Sequence, residues 1–250
     1  MTEPTRDDFL GGKLSLLQPK AGYRAGVDPV LLAASVPAEK GDTVLELGCG
    51  AGAASLCLSA RVEGLALTGV EIQPLYAELC RQNAVHNRAR MDVVEADLTH
   101  LPAQIRNTSF DHVIMNPPYY DRSASTRAND QGRDMALGGD TALQDWIEVG
   151  AKRLRPKGYF TLIQRMDRLP ETLATADRVL GSITVLPIQA RVGRPSGLFI
   201  LQARKNGRAA FRMLAPLILH RGDVHGQDGE SYTAQVSAIL RDGAHLSLEA

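Results

Sequence analysis

Asn116-Pro117-Pro118-Tyr119 closes the apolar run Phe110-Asp-His-Val-Ile-Met115 and is the stretch of this chain best equipped for chemistry. It sets a carboxamide, two carbonyls held by proline geometry and one aromatic face at the end of a strand-like segment. Those groups form a clamp for a planar amino group: the carboxamide oxygen and a carbonyl can each accept one N–H, while the ring covers the plane behind it. Asn-Pro and Pro-Pro are also ordinary punctuation at a strand end, so the surrounding pattern decides between a turn and a site.

A second constellation is Glu46-Leu-Gly48-Cys-Gly50-Ala-Gly52, which follows the apolar segment 43–47 and opens a helix over 53–60. Glycines here let the backbone turn sharply and approach a ligand. The dinucleotide fingerprint spaces its third glycine three residues after the second. Here it follows after two, and a carboxylate precedes the first. Glu46 would repel a pyrophosphate, yet could hold the cationic aminoacyl end of S-adenosylmethionine, directly or through water. Glu71, ending the next strand, can accept both hydroxyls of a ribose. Asp97, in Glu95-Ala-Asp-Leu98, can accept from the exocyclic amine of the cofactor's adenine. Each acid alone reads equally well as a helix cap or a solvated strand end. Three at successive strand ends, with Asn116 at the next, fit a ligand outside the carboxyl ends of an open α/β sheet.

The elements that must position these groups alternate. Strands are expected at 43–47, 65–70, 91–95 and 110–115, with helices over 53–60 and from Pro74 to about His86, proline being tolerated in a first turn. A helix over 141–154 ends in the turn Arg155-Pro-Lys-Gly158. A strand at 159–164, a helix at 167–180 and an antiparallel pair at 183–188 and 198–203 follow. Continuous rather than alternating apolar runs suit parallel strands covered on both faces. The expected fold is α/β: a doubly wound, seven-stranded, mostly parallel Rossmann-like sheet with one antiparallel strand in its C-terminal hairpin. Residues 1–40 read as an N-terminal cap with an apolar helix over 29–34, 41–212 as the core and 213–250 as a tail packed on it. Residues 120–140 begin directly after the tetrapeptide, have little periodicity, and read as a substrate-gating loop.

Composition narrows the class. The 250 residues are 44% hydrophobic and 5% aromatic with zero net charge, which fits a globular chain. No apolar run approaches the ~20 residues of a membrane span, and the first ten residues do not resemble a secretory signal, so a cytoplasmic protein without membrane contact is expected. Cys49, Cys57 and Cys80 form no CxxC pair and read as reduced, mostly buried thiols. The six histidines lack metal-ligand spacing, and no metal is expected. The balanced charge is unevenly spread: residues 151–212 carry 13 Lys and Arg against 3 Asp and Glu. Such a stretch can form a positive face for a polyanion, or serve solubility alone.

The order Glu46-x-Gly48-x-Gly50-x-Gly52, Glu71, Asp97, Asn116-Pro-Pro-Tyr119 resembles class I S-adenosylmethionine-dependent methyltransferases. More narrowly, the chain is similar to the bacterial valine tRNA (adenine-N6)-methyltransferase family, which modifies the adenine next to the anticodon. That likeness rests on Gly22-Tyr23-Arg24-Ala-Gly-Val-Asp28-Pro-Val-Leu-Leu-Ala33, Arg194-Pro195, Ala203-Arg204-Lys205, Leu214-Ala-Pro-Leu-Ile-Leu219 and Asp228-Gly-Glu-Ser-Tyr-Thr233. An inserted-looking Arg221-Gly-Asp-Val-His-Gly226 departs from it. The resemblance implies S-adenosylmethionine as cofactor, held by Glu46, Gly48, Gly50, Gly52, Glu71, Asp97 and Asn116. It implies tRNA as partner and Asn116, Pro117 and Tyr119 as catalytic residues. Tyr23, Arg24 and Asp28 would close over cofactor or base, and the positive stretch 151–212 would meet phosphates through Arg191, Arg194, Arg204, Lys205, Arg208 and Arg212. Two alternatives stay open: a glutamine-N5 methyltransferase of release factors, whose side-chain amide suits the same clamp, and a non-catalytic RNA-binding protein retaining the fold. Oligomeric state is not legible in these motifs.

Overall fold

A computed structural model describes residues 3–119, 141–222 and 231–249. An antiparallel hairpin of β1 (Thr5–Phe9) and β2 (Leu14–Gln18) comes first. Then follow α1 (Asp28–Ser35), β3 (Thr43–Leu47), α2 (Ala53–Arg61), β4 (Ala66–Glu71), α3 (Pro74–His86), β5 (Met91–Glu95), α4 (Ala103–Arg106) and β6 (Phe110–Met115). Beyond the undescribed segment come α5 (Leu143–Arg153), β7 (Leu154–Arg165), α6 (Leu169–Val179), β8 (Gly181–Gln189) and β9 (Ser196–Arg204). The proposed gating segment 120–140 and most of the inserted-looking 221–226 lie outside the described residues.

The main sheet runs β8-β9-β7-β6-β3-β4-β5. It is parallel except for β9, which is antiparallel to both neighbours. Strand order reverses at β3, which has β4 on one side and β6 on the other. The register Leu47↔Met115, Leu47↔Val70 and Glu71↔Glu95 brings the carboxyl ends of these four strands together above that reversal. This is where an open α/β sheet leaves a ligand crevice.

Both faces are covered, as the unbroken apolar strands require. Val44, Ile114, Ile163 and Ile200 point to a core shared with α1, α2, Leu14 and Leu16 of the hairpin, and Val236, Ile239 and Leu246 of the C-terminal segment. Leu45, Leu47, Val113, Met115, Phe160 and Leu162 point to the other face, against Trp146 and Ile147 of α5 and Ala176 of α6. All six residues of β6 are buried, so the tetrapeptide starts from a fixed platform.

Two local expectations are corrected, and one element was missed. Two short strands, Arg212–Met213 and Leu217–Ile218, extend the sheet by pairing parallel with β8, beyond the seven strands expected. The hairpin β1–β2 was not legible, because β1 is polar apart from Phe9 and the turn is a Leu-Gly-Gly 3-10 segment. The turn expected at 155–158 is part of the long β7, with the register shift falling between Phe110 and His112 of its neighbour.

Candidate active site

The loop after β3 is pinned before any ligand is considered. The amides of Gly48 and Cys49 both donate to the Val70 carbonyl, at 2.8 and 3.1 Å. Gly48 has φ +67°, and a Cβ there would lie 2.5 Å from the Trp146 ring. Gly52 has φ +88°, and its Cβ would meet Cys80 Sγ at 2.8 Å. Neither position can carry a side chain without displacing packed neighbours.

The three acids act as caps and also face cavities, so the two readings of each coexist. Glu46 Oε2 accepts from the Ser55 amide at 3.0 Å and its hydroxyl at 2.5 Å, serving the first turn of α2, whose N-cap Gly52 has no side chain. Burial pushes the Glu46 carboxyl up to about 7, against the opposing pull of the Ser55 bonds. Glu71 accepts from the Gly50 amide at 2.8 Å and the Gln73 amide at 2.9 Å, and burial raises its pKa as well. Asp97 Oδ1 accepts from the amide and hydroxyl of Thr99, each at 2.8 Å, and the amide bond is the main cause of its lowered pKa.

A cleft of ≈ 160 Å³ opens at the strand ends, lined by Gly48, Gly50, Glu71, Ile72, Asp97, Trp146 and the whole tetrapeptide 116–119. A deeper cavity of ≈ 40 Å³ adjoins it, lined by Glu46, Gln18 and Ala51. The two share Tyr23, Gly48, Gly50, Tyr76 and Asn116. Gly52 lines neither of these two cavities; its part is to turn the chain into α2.

The tetrapeptide is more than a strand-ending turn. Asn116 Nδ2 donates to the Tyr23 hydroxyl at 3.2 Å, while the Tyr23 carbonyl accepts from the Tyr76 hydroxyl at 3.0 Å. Asn116 Oδ1 is buried and has no hydrogen-bond partner among the described residues. An unpaired buried acceptor costs roughly 1–3 kcal/mol, a cost that a ligand N–H would relieve. The Tyr119 hydroxyl donates to Asp28 Oδ2 at 2.5 Å, which ties the ring to the first turn of α1. Burial raises the pKa of both Tyr119 and Asp28, keeping the phenol protonated. Beneath the prolines, Gln164 Nε2 reaches the Pro117 and Pro118 carbonyls at 3.3 and 3.5 Å.

The remaining predicted residues separate. Tyr23 reaches the cleft, but Arg24 points away, into the hairpin: it bonds Thr5 Oγ1 at 2.6 Å and pairs with Asp7 at 2.5 Å. Arg191 is only 6% exposed, with its guanidinium on the carbonyls of Arg221 and Gly222. That corrects its expected role as a phosphate ligand. Arg194 is exposed in the β8–β9 turn, on the same edge of the sheet as Asn116. Arg204 pairs in register with Tyr159, six residues before the Arg165 end of β7, so Arg204, Lys205 and Arg208 sit at the opposite edge, ~20 Å away at ~3.3 Å per residue. Arg204 donates to the Lys157 carbonyl and lies 4.5 Å over the Tyr159 ring, and Lys205 donates to the Ala151 carbonyl. Arg212 binds Thr184 Oγ1 and the Leu248 carbonyl.

Gln164, Trp146 and Ile72 were missed as site residues. Trp146, the single tryptophan of the chain, was visible only as part of an amphipathic helix. Ile72 follows the second acid and is 48% exposed despite being aliphatic. Gln164 carried no signal beyond ending a strand. The three cysteines are buried free thiols, and among the described residues no cluster of three metal-ligating side chains occurs. None of the described helices is long and apolar enough to cross a membrane.

The methyltransferase small domain model matches residues 26–187. A tRNA1(Val) (adenine(37)-N6)-methyltransferase of Shewanella baltica is 36% identical over 176 residues, covering 66% of this chain and 71% of the relative. Its counterpart in Yersinia enterocolitica is 28% identical over 229 residues, covering 89% of this chain and 86% of the relative. A crystal structure of a predicted O-methyltransferase of Agrobacterium tumefaciens superposes with a TM-score of 0.70 at 27% identity, covering 89% of this chain and all of that one. With its strand order, its glycine loop and these matches, the chain belongs to the methyltransferase small domain family of class I S-adenosylmethionine-dependent methyltransferases and is related to the tRNA1(Val) adenine-N6 enzymes.

Proposed function

We propose that this protein methylates the exocyclic N6 of an adenine in tRNA, the one next to the anticodon of a valine tRNA. The observation that carries this reading is Asn116 Oδ1, buried beside the cleft without a partner while its own Nδ2 is committed to Tyr23. An acceptor held this way suits an incoming N–H and fits no role in the fold.

The residues present fit S-adenosylmethionine. Glu71, held by two amides, keeps lone pairs for a ribose diol. Asp97 and the exposed face of Ile72 suit a purine, one by its polar edge and one by its plane. Gly50 has φ +53° with open space where a Cβ would stand, a gap a ligand can fill. The carboxylate of Glu46 lines the deeper cavity, where a cationic aminoacyl end would be accepted. When bound, the cofactor supplies an electrophilic methyl group on a sulfonium.

An exocyclic adenine amine is a poor nucleophile, because its lone pair is delocalised into the ring. Asn116 Oδ1 and the Pro117 carbonyl would each accept a hydrogen bond from one N6–H, drawing the nitrogen toward tetrahedral geometry with its lone pair facing the methyl; once the N–C bond has formed, one N6 proton leaves to solvent and the other stays on the product. Rate enhancement then comes from positioning and from matching charge that develops on nitrogen. Tyr119 would stack on the base, worth ~1–3 kcal/mol, with the Asp28 bond fixing its ring. An adenine in an anticodon loop is partly unstacked, so extruding it costs less than from a duplex. Arg194 and Arg165, on the edge that bears the clamp, are the phosphate contacts this reading favours. The names carried by the Shewanella and Yersinia relatives support the same substrate.

Partition of a labelled methyl group between bulk tRNA and a purified release factor tests the reading. Label in tRNA is expected; label in the release factor alone would replace adenine by a protein glutamine at the same clamp.

A further inference from the structure

We propose that Gln164 is a positioning residue for methyl transfer, holding the Pro117 carbonyl in the plane from which it accepts an amine proton. This rests on the clamp proposed above and adds a residue that no motif marks.

Strand β6 ends at Met115, and of the residues that follow it, Asn116, Pro117 and Pro118, the two prolines have no N–H with which to tie the backbone to the sheet. The Pro117 and Pro118 carbonyls both meet a side-chain donor from the neighbouring strand. Gln164, from the end of adjoining β7, is fully buried and supplies one Nε2 to both, at 3.3 and 3.5 Å. Its orientation is set independently, because its Oε1 accepts from the Arg165 amide at 2.8 Å. With the oxygen committed, the NH2 must face the prolines. A carbonyl oxygen has two lone pairs, so Pro117 can satisfy Gln164 with one and a substrate amine with the other. Both contacts are longer than the ~2.7–3.2 Å usual for N–H···O, so each is weak, and the shorter one goes to Pro117.

The test uses the full-length protein and whichever acceptor the wild type methylates. Gln164→Leu keeps the volume but removes the donor. Its kcat should fall about 10- to 100-fold, the cost of a slightly misaimed acceptor. Its cofactor affinity by calorimetry should stay within about twofold, since Gln164 lines neither cavity. In Gln164→Glu, the neutral acid can donate its O–H to the prolines and the carboxylate cannot. The kcat of this variant should therefore climb toward wild type as pH is lowered, a rise the wild type lacks. The neighbouring charged and titratable groups are Arg165 and Asp167 along the chain and the Tyr119–Asp28 pair across the tetrapeptide. They are common to both proteins, so the difference belongs to position 164. A Leu variant with wild-type kcat, or one that loses cofactor affinity in step with kcat, overturns the proposal. So does a Glu variant whose pH profile parallels wild type, and that profile decides if the Leu variant does not fold. Methylation of a protein acceptor instead of tRNA would defeat the substrate reading while leaving the role of Gln164 to be measured on that acceptor.

Discussion

The two edges of the main sheet are built from the same strands and helices, yet they differ in almost every chemical respect. At the carboxyl edge of the parallel strands stand glycine turns, helix N-termini, buried acids with raised pKa and an unpaired carboxamide oxygen. At the amino edge the helices end, and their last turns carry Arg61, Lys152, Arg153 and Arg178. Cations there complement the partial negative charge of helix C-termini. Arg155 at that edge pairs with the largely buried Asp111, and Arg204 and Lys205 are spent on backbone carbonyls. Three of the 13 cations in 151–212, Lys152, Arg153 and Arg178, thus sit where helices end, and others are spent inside the fold. A sum of charge along the sequence finds positive residues but not the edge they serve.

The sharpest way to break this contrast is at Asn116. Asn116→Ala should lower kcat about 10²- to 10³-fold while cofactor affinity by calorimetry falls far less than kcat. Substantial surviving activity would remove the carboxyl edge's claim to the chemistry. Glu71→Ala should come next, weakening cofactor binding about 10- to 100-fold, as expected for loss of charge-assisted hydrogen bonds. The loop at Gly50 also loses an anchor, so the variant's Tm should fall as well.

The pH response of Glu46 sharpens the comparison further. Burial favours its neutral form, so the folded state binds a proton that the unfolded chain has released between the ordinary glutamate range and about 7. Stability should therefore decline as pH rises across that window and level off above it. A cationic aminoacyl group selects the carboxylate, so cofactor affinity should move the other way, falling about tenfold per pH unit below 7. Comparison with Glu46→Gln isolates this effect from titration of the ligand itself. Equal slopes in the two proteins would show that Glu46 does not meet a cation.

The smallest effects concern RNA. Arg194→Glu should weaken tRNA binding several-fold and lower the slope of log K against log salt by about 1. Arg208→Glu, at the amino edge, should leave both unchanged. The reverse outcome would put tRNA on the far edge.

What the sequence made legible follows the physics of each part. Buried parallel strands read as unbroken apolar runs, so β3, β4, β5 and β6 stand within a residue of their expected bounds. The glycines and acids at their ends were legible because chemistry and spacing coincide there. The β1–β2 hairpin was hidden by composition, since β1 is Thr-Arg-Asp-Asp-Phe with a single apolar residue. Arg24 and Arg191 misled for another reason: a guanidinium that binds carbonyls inside a fold has the same sequence signature as one that binds phosphate. Gln164 was invisible because its partners are the carbonyls of two prolines just past the end of a neighbouring strand, a relation that only the β6–β7 register creates.

The central claim, that the clamp at the carboxyl edge takes an adenine amine, is tested most directly by mass spectrometry of nucleosides from tRNA incubated with the protein and S-adenosylmethionine. The account predicts N6-methyladenosine in a valine isoacceptor, and none when Asn116→Ala replaces the wild type. A methyl group on another atom or another nucleoside, or an undiminished product with Asn116→Ala, would contradict it.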